Sequence, residues 1–289
     1  MTISTPNSSD HFEIVVEDLH KSFGTHPVLS GVNLKIRRGE LVAIVGGSGC
    51  GKTVLLKTIT GHFGADSGRV LIADHEVANS PLCDVAKLTD DQLDQLRVHW
   101  AVVFQRNALL SGTVYFNLAF WPKEIKDMTD AQIEPLAHKA LLDVGLNPDQ
   151  IMNSDRESLS GGMAKRLAIA RALVMDPVLV FYDEPTSGLD PEMCGTIHSL
   201  IDSTHRAMPS LGVARTSVVV THDTELLRRL APRIVMLHAG KFSLMDHLRN
   251  FKPARILRLN RTCNKWPRCT RATMSTNDQP VPLLIPEWC

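Results

Sequence analysis

No stretch of this chain approaches the roughly 18 consecutive apolar residues that a membrane-crossing helix requires, so no helical span is expected. Neither sign of charge is in excess: 31 Lys and Arg balance 31 Asp and Glu. No global field therefore argues for nucleic acid or an anionic surface as a partner. The start, residues 1–11, is polar and lacks the basic and apolar regions of a secretory signal, so a cytosolic protein is expected. The cysteines, Cys50, Cys83, Cys194, Cys263, Cys269 and Cys289, form neither a regular disulfide framework nor a zinc spacing. No internal repeat is visible and no heptad pattern is sustained.

With 289 residues, 44% of them hydrophobic, the chain is long enough for one large domain or two small ones around a sizeable core. Ile14-Val15-Val16 and Val32 to Ile36 alternate or run apolar, with Gly31 and Gly39 as punctuation, and read as strands. Leu41 to Val45 is a continuous apolar run, which suits a strand buried on both faces of a mostly parallel sheet. Val178 to Tyr182, Ser217 to Thr221 and Ile234 to Leu237 repeat that pattern, with helical stretches between them. The core is therefore expected to be α/β. Residues 85–160 are rich in helix formers, and Ala131 to Val144 places Ile133, Leu136, Ala140, Leu141 and Val144 at helical spacing. This region reads as an inserted helical subdomain. After about Lys252 the sequence turns basic, Pro-containing and poor in periodicity. Arg249, Lys252, Arg255, Arg258 and Arg261 recur at every third residue, a stripe for anionic lipid or a partner if helical, although Pro253 interrupts it. The tail, 253–289, is expected to be a solvated appendage.

The chemistry begins at Gly46-Gly47-Ser48-Gly49-Cys50-Gly51-Lys52-Thr53, a phosphate loop between a buried strand and the helix Val54 to Thr60. Glycines let the backbone curl so that its N–H groups face the phosphates, and the helix N-terminus adds partial positive charge. Lys52 is expected to neutralise phosphate oxygens and Thr53 to ligate Mg²⁺. Cys50 stands at a variable position: either a tolerated small residue or a thiol of lowered pKa at a helix N-terminus. Asp183-Glu184 ends the next buried strand, where ligands bind in such sheets. Asp183 is expected to hold Mg²⁺ through water, and Glu184 to orient and polarise the attacking water. His222, ending the strand after that, is either a satisfied structural histidine or a group that touches the γ-phosphate.

Leu159-Ser160-Gly161-Gly162-Met163 opens a helix that Asp176-Pro177 stops. Ser160 is a good N-cap, yet two glycines in a first turn are costly if they only cap. They allow close backbone approach and make a second anion site. The simplest use for a second site is a dimer in which this helix end grips the γ-phosphate bound to the partner's loop.

With these motifs in this order, the chain resembles the nucleotide-binding subunits of ABC transporters over about residues 13–245. The resemblance implies a P-loop NTPase of ABC type: an ATP-hydrolysing domain over 1–252, with a mixed, mostly parallel core, an N-terminal antiparallel β region and the helical subdomain. It implies that Phe23 stacks on adenine, that Gly46 to Val54 wrap the phosphates of ATP, and that Gln105 contacts nucleotide and metal. Ser187-Gly188-Leu189-Asp190 is similar to the loop that joins two active sites across a dimer, with Ser160, Gly161 and Gly162 completing the partner's pocket. Such subunits pair as head-to-tail sandwiches around two ATP, beneath membrane-spanning permease subunits. Met163, where Gln is usual, Ala164-Lys165-Arg166 and the stretch Asp183 to Pro191 resemble the ATPases of MCE-associated, Mla-type lipid transporters. An MCE-type lipid-binding subunit is then an expected partner, and the cytoplasmic face of a bacterial inner membrane the expected location. Gln105 to Phe120 departs from the usual pattern. A soluble ABC ATPase of translation or repair would carry a second phosphate loop or a long coiled coil. A switch GTPase would carry an Asp that Asn264-Lys265-Trp266-Pro267 lacks.

Overall fold

Strands form where apolar residues alternate or run together, and helices where turn-forming caps precede helical spacing. The computed structural model describes residues 11–247, with side chains through residue 242. The expected tail, its basic stripe and its three cysteines lie outside the described residues. In chain order, β1 (Phe12–Phe23) and β2 (His26–Arg37) precede β3 (Leu41–Val45) and α1 (Lys52–Ile59). Then come β4 (Ser67–Ala73), β5 (Leu82–Asp84), α2 (Asp90–Arg97) and β6 (Trp100–Val103). Four helices follow: α3 (Val114–Lys126), α4 (Asp130–Asp143), α5 (Pro148–Ile151) and α6 (Gly161–Leu173). The description continues with β7 (Leu179–Asp183), α7 (Pro191–Arg206), β8 (Thr216–Val220), α8 (Thr224–Leu230), β9 (Arg233–His238) and β10 (Lys241–His247).

A four-stranded sheet, ordered β2-β1-β4-β5, is antiparallel throughout. A six-stranded sheet, ordered β10-β9-β3-β8-β7-β6, is parallel except for β10. Each central strand feeds both faces through its two-residue period. Leu179 and Phe181 of β7 join the core beneath the antiparallel sheet, while Val180 and Tyr182 join the core packed against α3, α4, α6 and α7. Val218 and Val220 divide from Val219 in the same way. Phe181 is fully buried, a gain of about 1.5–3 kcal/mol over leaving it in water. Strands with two buried faces read as unbroken apolar runs, which is why these were legible.

The expected helical subdomain over 85–160 needs correction. Trp100–Val103 is a strand, β6, paired in parallel with β7. Leu93 and Leu96 of α2 pack with Trp100 into the core beneath the antiparallel sheet. Only residues after β6 build the helical layer on the other face. A four-residue strand preceded by the helix-forming run Asp90–Arg97 carries no periodicity of its own, and pairing with β7 overrides local propensity.

Caps fix where the helices start. Thr89 and Gln92 form a reciprocal capping box at α2. Ser160 accepts from the Met163 N–H at 3.3 Å, Asp190 from the Met193 N–H at 2.9 Å, and Asp223 from the N–H groups of Glu225 and Leu226. Among the described residues no helix is long and apolar enough to cross a membrane, and no disulfide joins Cys50, Cys83 and Cys194.

Candidate active site

Parallel pairing brings the ends of β3, β8 and β7 to one edge of the sheet. Ile44 lies opposite Val220, and Val220 opposite Asp183. The loop after β3 therefore stands beside Asp183-Glu184 and Thr221-His222. At Gly46 an added Cβ would lie 2.3 Å from the Leu237 carbonyl oxygen of β9 and 2.6 Å from Cys50 Sγ. Any side chain there would push the loop off the sheet. Gly49 and Gly51 have φ of +76° and +101°, a region that glycine enters without cost. The Lys52 ammonium donates back to the carbonyls of Gly46 and Gly47 at 2.9 and 3.1 Å, closing the loop on itself. Cys50 turns its thiol to the inside of the loop, against Gly46. Val54 packs half-buried against the core beneath α1.

Thr53 Oγ1 donates toward the Asp183 carboxylate at 3.3 and 3.5 Å. A hydroxyl and a carboxylate held together at a helix N-terminus are hard oxygen donors of the kind Mg²⁺ takes. Among the described residues no group of three or more His, Cys, Asp or Glu side chains is arranged to hold a metal. An ion at Thr53 and Asp183 must then draw its other ligands from phosphates and water, as Mg²⁺ does in nucleotide sites. The donor set fits. Burial is the largest influence on Asp183 and raises its pKa, with the Glu184 charge adding, against the Thr53 bond and the charges of Lys52 and Lys57.

Glu184 sits at φ +47°, left-handed backbone that costs a non-glycine residue on the order of 1–3 kcal/mol. Its N–H donates to the Val220 carbonyl at 2.9 Å, and its carboxylate accepts from His222 Nδ1 at 2.8 Å. His222 is exposed at the strand end, while the Glu184 side chain beneath it is largely covered. Gln105 donates from Nε2 to Ser187 Oγ at 3.1 Å, joining the loop after β6 to the loop after β7. Phe23 is 46% exposed, with Phe63 edge-on at 5.4 Å and the Lys21 ammonium over its ring. That leaves an accessible aromatic surface.

The signature segment stands apart. Among the described residues no hydrogen bond joins Ser160, Gly161 or Gly162 to the phosphate loop. A Cβ at Gly162 would meet Met193 Cε at 2.6 Å, so Gly162 admits α7. A Cβ at Gly161 would meet nothing within 4 Å. The fold of this chain alone gives no reason for glycine at Gly161.

Three residues make contacts that sequence reasoning did not supply. Lys165 is buried and donates to the carbonyls of Phe104 and Gln105 at 3.0 and 3.2 Å, and burial lowers its pKa to about 8. Asn117, fully buried, holds Leu110 through both its N–H and its C=O. Arg156 donates to the Leu109 carbonyl. Together they hold the backbone of Phe104, Gln105, Leu109 and Leu110. A lysine or asparagine on an otherwise apolar helix face is the one local hint of such contacts.

The model of the ABC transporter family matches residues 29–187, more than half of the chain. The protein TRIGALACTOSYLDIACYLGLYCEROL 3, chloroplastic, of Arabidopsis thaliana is 36% identical over 81% of this chain and 68% of its own length. The histidine transport ATP-binding protein HisP of Pseudomonas aeruginosa is 33% identical over 79% of this chain and 88% of its own. The chain belongs to the ABC transporter family. Among solved structures, cbiO1 from Clostridium perfringens, part of the ABC transporter complex cbiONQ, superposes with a TM-score of 0.71 at 28% identity. That match covers 86% of this chain and 94% of cbiO1. A bacterial ABC transporter cassette solved as a dimer gives 0.69 at 30% identity, covering 82% of this chain and all of that one. The fold is that of an ABC cassette, and the chain is an ATPase that takes ATP with Mg²⁺.

A carboxyl group whose folded pKa is raised stabilises the fold below its ordinary pKa and loses that contribution as pH rises through the raised value. At neutral pH the charged Asp183 therefore costs stability in the nucleotide-free chain. The Asp183→Asn variant is expected to melt above wild type at pH 7, with the gap closing toward acid pH. It should also lose the rise in melting temperature that Mg²⁺ with ATP confers on wild type. A nucleotide-free variant that melts below wild type at pH 7 would contradict this account.

Proposed function

We propose that this chain is the ATP-hydrolysing motor subunit of a lipid-translocating ABC transporter, working as a head-to-tail dimer beneath membrane-spanning permease subunits. One observation carries the dimer: a Cβ built at Gly161, the first residue of α6, would meet nothing within 4 Å, so the missing side chain leaves open space at this helix end. The chemistry that needs bare backbone at a helix N-terminus is an anion's. A second copy offers one, in the triphosphate on its own loop.

In this reading the loop Gly46–Thr53, with Val54, wraps the phosphates, and the Lys52 ammonium leaves the loop carbonyls to neutralise them. Thr53 and Asp183 hold Mg²⁺, with Gln105 at its edge; when bound, the ion offsets charge on the phosphate oxygens. Glu184 orients a water for in-line attack, held by His222, which senses whether the γ-phosphate is present. Phe23 stacks on adenine. Ser160, Gly161 and Gly162 close the pocket of the facing copy, and Asp190 carries the contact between the two sites.

Lipid as the cargo rests on the ending Met163 of the signature, on the stretch Asp183 to Pro191, and on the name of the Arabidopsis relative, which is that of a galactolipid. The subunit would lie on the cytoplasmic face of a bacterial inner membrane, with an MCE-type lipid-binding subunit in the complex and no nucleic acid. Lipoprotein release or import of a small solute is the second reading, and import is favoured by the histidine transport relative and by the methionine import protein MetN of Rhizobium johnstonii, 36% identical. This chain spans 58% of that MetN.

Gly161→Asp puts a carboxylate where the facing triphosphate would lie. ATP affinity of the isolated subunit and its melting temperature should stay at wild-type values, while turnover falls about a hundredfold or more. Parallel loss of affinity and turnover would mean that this helix end serves its own chain's nucleotide. Co-purification from membranes should bring down permease subunits, an MCE-type subunit and phospholipid. A complex that holds no lipid and whose ATPase responds to an amino acid would contradict the lipid reading and leave the motor assignment standing.

A further inference from the structure

Glu184 and His222 meet at 2.8 Å across the ends of β7 and β8, and a second polar link joins the same two segments beneath them. Thr186 Oγ1 donates to Asp223 Oδ2 at 3.0 Å. His198 Nε2 reaches the same oxygen at 2.8 Å from the buried face of α7. The other oxygen, Oδ1, accepts from the N–H groups of Glu225 and Leu226 at 2.9 and 3.1 Å and caps α8. One carboxylate thus ties the loop after β7, helix α7 and the start of α8.

His198 is 3% exposed and is buried on α7 together with Ile197, Leu200, Ile201 and Thr204. An aliphatic residue would fill that position without the cost of burying an imidazole, which is offset only by the bond to Asp223. Thr186, His198 and Asp223 border a cavity of about 500 Å³ that is also lined by Ser187, Gly188 and His222. Burial pushes the Asp223 carboxyl up, but the bonds from His198, Leu226 and Thr186 outweigh it and hold the group charged.

We propose that His198, Asp223 and Thr186 form a positioning device that sets the Glu184–His222 separation and the seat of the loop Ser187–Asp190. The inference rests on the assignment of Glu184 and His222 to hydrolysis. Orientation errors of about 1 Å at reacting groups cost up to a hundredfold in rate. The device therefore acts on turnover and leaves the phosphate loop, and with it ATP affinity, untouched.

The test compares His198→Val, which removes the donor, with His198→Gln, which restores one, beside Glu184→Gln. His198→Val should keep the wild-type fold by circular dichroism, keep KM for ATP within about twofold, and lower kcat about tenfold or more. His198→Gln should recover at least about half of kcat. Wild-type kcat in His198→Val would overturn the proposal, as would a Gln variant no faster than the Val variant. A KM that rises in step with the fall in kcat would overturn it too, since that marks a change in the nucleotide site itself. Glu184→Gln separates the two claims: wild-type turnover in that variant sinks the hydrolysis assignment itself, whatever the His198 variants do.

Discussion

Parallel pairing of β3, β8 and β7 is the constraint on which the rest of this molecule depends. Its register sets Ile44, Val220 and Asp183 side by side, so three chain segments leave the sheet at one edge. The phosphate loop, the acidic pair and His222 belong to segments far apart in sequence. No local preference could bring them within hydrogen-bond reach. Burial of both faces of these strands supplies the stability that the edge then draws on, in the left-handed backbone of Glu184 and the desolvated carboxylate of Asp183.

In the proposed reading the site is one half of a pocket. Lys52, Thr53, Asp183, Glu184 and His222 converge, while Gly161 faces open space at the head of a capped helix. Contacts between the halves run inside the chain as well. Gln105 reaches Ser187, and Lys165 of α6 grips the backbone of Phe104 and Gln105.

Much of this was legible in the sequence, for physical reasons. Val178 to Tyr182 and Val218 to Val220 are unbroken apolar runs because both of their faces are covered, and the residues after them lie at the strand ends where ligands bind in sheets of this kind. Ser160 and Asp190 announce helix starts through cap chemistry. β6 escaped notice because four residues carry no period and its neighbours favour helix. Lys165, Asn117 and His198 escaped because their partners lie far away in sequence, and a buried polar residue looks like any other residue on a helix until the fold supplies its contact. The residues after 247 and before 11 lie outside the described structure, and the expected basic stripe falls among them.

The central claim is that each copy completes the other's pocket. It is tested most directly by mixing equal amounts of two inactive chains, Lys52→Ala and Gly161→Asp, under conditions of subunit exchange, and measuring ATP hydrolysis. Random exchange makes half of the dimers mixed, each with one intact pocket, so the account predicts recovery to about a quarter of wild-type turnover. A mixture no more active than either chain alone would contradict it.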